Sequence, residues 1–177
     1  MKHVMAGALA FLMALPVGAA ELGDDWLVQQ KFDGERRWLS VEDGRAIFAK
    51  RDGLATGVQE PVAAAWEALT NASLPFSADG EDMGDHVVIF DVTRHPGLVS
   101  GTFQERAELL LEIQETIAGL GLESHLKVEI PVPASVFFAG RDKALLEAGA
   151  EGYVMRHKDS VYTPGKPSSG GEALKVK

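Results

Sequence analysis

Cysteine is absent from all 177 residues. That excludes disulfides and any thiolate metal site, and it leaves the redox compartment open. The five histidines, His3, His86, His95, His125 and His157, lie too far apart for metal-ligand spacing, so each reads as a surface or partly buried structural residue. No internal repeat is visible. The apolar run from Val4 to Val17 is interrupted by Gly7 and Pro16, too short and too broken for a transmembrane helix. Basic charge is scarce as well: 17 Lys and Arg stand against 26 Asp and Glu, a formal net charge of -9. Spread evenly, that balance would make a poor partner for nucleic acid.

The chain nonetheless has an ordinary globular composition, 46% hydrophobic and 24% charged, and is long enough for one domain with a sizeable core. The charge is not spread evenly. Residues 31–51 carry six Lys and Arg against four Asp and Glu, and residues 154–177 carry five against two, so the remainder holds -14. A local phosphate-binding face on an acidic body is therefore compatible with the total.

The first basic segment opens on Lys31-Phe32-Asp33-Gly34-Glu35-Arg36. Trp26 to Gln30 reads as a strand running into the lysine, and Asp33-Gly34 as a turn that ends in a cation. A pattern KxDGxR fixes four residues of six and arises by chance on the order of once in a hundred thousand positions at average usage. A lysine at a strand end is ordinarily a solvated charge, so the weight given to Lys31 depends on the rest of the chain.

Arg36 to Val41 and Arg45 to Lys50 flank Glu42-Asp43-Gly44, a hairpin with Asp-Gly turn chemistry, and Arg51-Asp52-Gly53 makes a second turn. Pro61 suits the first turn of a helix reaching Leu69. His86 to Val92 is a mostly apolar strand. Thr102-Phe103-Gln104-Glu105 is a capping box that opens an amphipathic helix to Leu120. Leu126 to Val132 reads as a strand, Lys143 to Ala148 as a short helix and Gly152 to Arg156 as another strand. Asp159 to Glu172 is rich in proline, serine and glycine and reads as a loop. Leu174-Lys175-Val176-Lys177 alternates like a strand with both lysines on one face.

Four further segments accompany the lysine motif in order: Asp79-Gly80-Glu81 before the strand containing Phe90-Asp91, Glu151-Gly152-Tyr153-Val154-Met155-Arg156, Tyr162-Thr163-Pro164-Gly165-Lys166, and the terminal Leu174-Lys175-Val176-Lys177. From about residue 26 to 177 this succession resembles the nucleotidyltransferase domain of ATP-dependent DNA ligases. RNA ligases and capping guanylyltransferases share the lysine motif and the general order, while the Tyr-x-Pro-Gly segment is more like bacterial and viral DNA ligases. The resemblance implies an α+β, ATP-grasp-like nucleotidyltransferase domain of the DNA ligase type, with antiparallel sheets and flanking helices, over residues 21–177.

It also implies roles. Lys31 matches the nucleophile that attacks the α-phosphate of ATP and carries AMP. An ordinary lysine, with a pKa near 10.4, is protonated at neutral pH, and Arg36, Lys175, Lys177 and Mg²⁺ or another divalent metal would favour its neutral form while offsetting phosphate charge. Glu81 and Glu151 match the acidic positions for ribose and metal contacts. Phe90 matches the aromatic that stacks on adenine, Arg51 an arginine near nucleotide or DNA phosphates, and Gln29 stands where a glutamate usually meets the adenine amine. Ala173-Leu174 replaces a frequent aromatic before the last lysines. The implied partner is nicked double-stranded DNA, with no stable membrane association. Family ligases continue into an OB-fold, whereas this sequence stops at Lys177. The expectation is therefore a lone adenylation domain, a truncated product, or a chain working with an OB-fold domain or subunit in trans. The alternatives are an RNA ligase or capping-type enzyme, or a nucleotide- or DNA-binding module needing a partner chain.

Residues 1–20 admit two readings. Lys2, the apolar run and Val17-Gly18-Ala19-Ala20 make a signal peptide that would place the protein in the periplasm. Alternatively the run is a buried N-terminal segment, with Leu12-Met13-Ala14 as the counterpart of a Met-Leu-Ala-like family segment, and the protein is cytoplasmic. The second is preferred.

Overall fold

A computed structural model describes residues 23–141, 151–163 and 173–176. Ten strands are described: β1 (Trp26–Lys31), β2 (Glu35–Glu42), β3 (Arg45–Ala49), β4 (Ala55–Thr56), β5 (Ser77–Asp82), β6 (Val87–Arg94), β7 (Leu126–Val128), β8 (Val132–Pro133), β9 (Gly152–His157) and β10 (Ala173–Val176). Two longer helices, α1 (Glu60–Ala72) and α2 (Phe103–Leu120), lie among them. The leader and the expected helix over Lys143–Ala148 fall outside the described residues, as do Lys166 and Lys177. The described residues form two compact units, one containing β1, β8, β9 and β10, the other running from Asp33 to Ile130 with Val161 to Thr163.

The smaller unit is a four-stranded antiparallel sheet in the order β10-β9-β1-β8. Alternation divides its residues between two faces. Val28, Tyr153, Met155 and Leu174 pack with Ala134 and Phe137 from the helical turns at residues 134–141. Phe137 lies 5.1 Å from the Tyr153 ring. The opposite face takes Gln29, Lys31, Val154 and Lys175, because Gln29 and Lys175 are both register partners of Val154.

The larger unit is a six-stranded sheet in the order β4-β3-β2-β5-β6-β7, antiparallel except where β7 joins β6 in parallel. Leu39, Ala78, Ile89 and Leu126 meet α1 and α2 in one core. Helix α1 buries Val62, Ala65, Trp66 and Leu69, the i, i+3, i+4, i+7 stripe of an amphipathic helix. Helix α2 begins with half of the expected capping box: Thr102 Oγ1 accepts from Glu105 N at 3.3 Å, while Glu105, instead of reaching Thr102 N, accepts from the backbone of Val99, Ser100 and Gly101 in the preceding turn. The β2–β3 hairpin turns on Asp43 (φ 48°) and Gly44 (φ 74°), two successive positive φ values as the strands' twist demands.

One expectation changes, and one strand appears for which none was expected. Leu126 to Val132 is not one strand: β7 adds to β6, Pro131 interrupts, and β8 pairs with β1 in the other sheet. Proline has no N–H to continue the ladder. Conversely, Ser77–Asp82 forms a strand although its composition argues against one. It is held by β2 on one side and β6 on the other. A Cβ on Gly80 would stand 2.7 Å from Val87 Cγ1, so the strands need glycine there.

Candidate functional site

Strand β1 delivers Lys31 to its last position, where the residue is paired with Gly152 at the start of β9. That register places Glu151, immediately before Gly152, against the lysine, and the Lys31 ammonium is ion-paired to the Glu151 carboxylate. Residues 120 positions apart in sequence thus share one sheet end. Gln29, two residues earlier on the same face, is 3% exposed, and its side-chain oxygen accepts from Arg156 Nη1 at 3.1 Å. Lys175 lies on the same face of β10, exposed.

The larger unit holds the other expected residues. Along β2 Leu39 enters the core, so alternation sends Arg36 and Trp38 to the opposite face. There Arg36 Nη2 donates to Asp79 Oδ2 at 2.5 Å. Burial lowers the Arg36 pKa, but the hydrogen bond and charge of Asp79 outweigh it and hold the guanidinium above its ordinary value. Arg36, Trp38 and Asp79 line a pocket of about 310 Å³ together with Lys50, Arg51 and Tyr162. The Tyr162 hydroxyl donates to Asp79 Oδ2 at 3.0 Å. Burial pushes its pKa up to about 12, with the negative charge of Asp79 adding to the shift. Three cations and two aromatic rings around one pocket suit an anion attached to a planar group.

Glu81 is cross-strand from Arg36, and its Oε1 accepts from Gly34 N at 3.3 Å. Gly34 could not be any other residue here without movement, since a Cβ would lie 2.6 Å from the Asp82 carbonyl oxygen. The glutamate therefore braces the turn that comes after Lys31 in the chain. Phe90 is the extra residue of a β-bulge: the register steps from Asp79↔Asp91 to Gly80↔Ile89. Bulges re-aim side chains and concentrate near functional sites. Next to it, Asp91 is clamped by Arg106 of α2, Nε to Oδ1 at 2.7 Å, with both residues buried.

Of the expected residues, then, Lys31, Gln29, Glu151 and Lys175 share one sheet, and Arg36 and Arg51 share one pocket. Glu81 and Phe90 are not among the pocket's lining residues. Lys177 lies outside the described residues. Asp79, Trp38, Lys50 and Tyr162 were not among the expected site residues. Asp79 sits two positions from Glu81, and Tyr162 opens the Tyr-x-Pro-Gly segment, but their meeting at Arg36 depends on tertiary placement.

Among the described residues no group of three or more His, Asp or Glu side chains gathers as a metal cluster. Magnesium keeps several waters and takes one or two protein carboxylates. Glu151 supplies hard oxygens on a side chain 24% exposed, so its donor chemistry fits such an ion.

No family model and no curated protein matches the chain by sequence. Solved structures match by fold. One named Pmar-Lig_PreS3 aligns with a TM-score of 0.69 and 16% identity over 90% of this chain and 44% of its own. The ATP-dependent DNA ligase of bacteriophage T7, in complex with ATP, gives 0.63 at 15% identity over 90% and 64%. A Lig E DNA ligase gives 0.59 at 16% over 90% and 65%. The chain thus spans less than half of the first and just under two thirds of the other two. It resembles ATP-dependent DNA ligases and has the α+β fold of their nucleotidyltransferase domain.

Proposed function

We propose that the chain is the adenylation domain of an ATP-dependent DNA ligase and that Lys31 is its nucleophile. The Lys31–Glu151 contact at the end of β1 supports the reading most, because a strand-end lysine with no task has no need of a carboxylate delivered from 120 residues away. In the first step the neutral amine forms a bond from Nζ to the α-phosphorus of ATP. The bond to the β-phosphate oxygen breaks, pyrophosphate leaves, and the amine's proton goes to solvent. An ammonium held by a carboxylate is not yet a nucleophile, so the contact with Glu151 must loosen before attack.

Gln29 and Lys175 lie on the same sheet face as Lys31, where Lys175 would bring positive charge to the phosphates. Arg36 and Arg51 present guanidinium groups suited to phosphoryl oxygens. Phe90 offers an aromatic surface to a base, and Glu81 fixes the turn after Lys31. Glu151, beside Lys31, would offer its carboxylate to Mg²⁺, which when bound would neutralise phosphate charge, and Glu81 is the other acidic position that the resemblance implies for such a metal. AMP then passes to the 5′-phosphate of a DNA nick, and the adjacent 3′-hydroxyl displaces it to seal the strand.

Intact-protein mass spectrometry after incubation with ATP and Mg²⁺ tests the first step. The expected result is one added AMP, mapped to Lys31, and no adduct on Lys31→Ala, with circular dichroism showing that the variant is folded. An adduct that persists in the variant removes Lys31 from this role.

A further inference from the structure

The steps proposed for adenylation and sealing assign Tyr162 no part, yet it is built into the pocket wall. Its hydroxyl donates to Asp79 Oδ2 at 3.0 Å, and the same oxygen accepts from Arg36 Nη2 at 2.5 Å. Asp79 is 3% exposed, so the two donors meet at a desolvated carboxylate where each bond constrains the other. Tyr162 is itself anchored: the preceding Val161 forms an antiparallel bridge with Thr102, the cap of α2. The phenol therefore approaches Asp79 from a fixed direction and confines the carboxylate's orientation. The carboxylate in turn confines Arg36.

A guanidinium has five N–H donors in one plane. With one edge on Asp79, the plane's orientation decides how the other donors meet a ligand in the pocket bordered by Lys50 and Arg51. We propose that Tyr162 is a positioning residue for Arg36, acting through Asp79, and that Arg36 so held binds the phosphoryl oxygens of a ligand in this pocket. The proposal takes from the proposed function only the phosphoryl nature of the ligand. A nucleotide polyphosphate and the 5′-phosphate of a nucleic-acid end share that chemistry.

The test is a double-mutant cycle on binding, which requires no reaction at Lys31. Affinities of wild type, Tyr162→Phe, Arg36→Gln and the double variant would be measured by calorimetry for inorganic tripolyphosphate. A second arm would compare nicked duplexes with a 5′-phosphate or a 5′-hydroxyl. Circular dichroism confirms folding, and Arg36→Lys replaces Arg36→Gln if the latter does not fold. Tyr162→Phe is expected to weaken phosphoryl binding by about threefold to tenfold, the worth of one ordinary hydrogen bond transmitted through Asp79, and to have no further effect once Arg36 is changed. Closure with tripolyphosphate identifies a nucleotide polyphosphate as the ligand, and closure only with the 5′-phosphorylated nick identifies a nucleic-acid end.

The proposal is overturned if Tyr162→Phe binds like wild type, if its loss persists at full size without Arg36, or if neither probe depends on Arg36. Because Lys31 adenylation is read separately by mass, a missing adduct with a closed cycle rejects the proposed function alone. An adduct with an open cycle rejects only the role of Tyr162.

Discussion

Asp79 Oδ2 carries two donors at once, and this has a consequence for stability that is separate from binding. Tyr162 ionises at about 12 in the folded chain, against 10.0 for a free phenol, first because burial disfavours the phenolate and then because Asp79 repels it. The folded state thus keeps its proton in a range where the unfolded chain loses it. Stability from this group is fully present below pH 10 and falls as pH rises from 10 towards 12. Urea unfolding at pH 9, 10 and 11 should show a steeper alkaline loss in wild type than in Tyr162→Phe. Parallel losses would mean that the phenol is not held against Asp79 in solution. None of this was legible from Tyr162 alone. The Lys31 motif could be picked out as a candidate because it is local, six consecutive residues with a turn built in. Arg36, Asp79 and Tyr162 come from β2, β5 and the segment after β9, and no spacing in the sequence records that junction.

Among the elements, α2 was the most legible and also hides the largest unexpected cost. Thr102 and Glu105 announced its start, and apolar residues at helical spacing announced its buried face. Arg106 sits on that buried face, 2% exposed, where periodicity alone would place an apolar residue. It is tolerated because Asp91 on β6 and the Gly101 carbonyl accept from it, at 2.7 and 2.5 Å. Removing the arginine breaks a charge-assisted hydrogen bond to a buried carboxylate. Arg106→Ala should therefore cost about 3–5 kcal/mol in denaturant unfolding, whereas Glu112→Ala on the exposed face of the same helix should stay within about 0.5 kcal/mol. Equal effects would show that the clamp carries no special weight. The same clamp sits directly after the Phe90 bulge, so it fixes β6 where its register shifts. Strand β5 escaped the sequence reading for the opposite reason. Its six residues have weak strand propensity, and only the strands on either side make it one.

For the whole molecule the charge distribution is the property that a nucleic-acid partner would sense first. The body of the chain is acidic, and the positive excess lies in residues 31–51 and 154–177. Lys50 and Arg51 of the first segment border the pocket, both exposed. A duplex approaching an acidic protein is repelled except where such a patch neutralises phosphates, so the few contacts made there should govern both affinity and salt response. Each neutralised phosphate adds roughly 0.9 to the slope of log K against log salt. Anisotropy titrations of a nicked, 5′-phosphorylated duplex across about 50 to 200 mM KCl should therefore show binding that weakens steeply with salt. Replacing Lys50 and Arg51 together by alanine should reduce the slope by about 2. Lys158→Ala is the matched control, because Lys158 already donates to Asp25 at 2.6 Å and is less free to neutralise a phosphate. A slope that ignores the double replacement would place the DNA on some other face and detach the pocket from the nick. A slope that falls equally in the Lys158 control would mean that the chain binds DNA through diffuse charge, with no register for Lys31 to act on a 5′-phosphate.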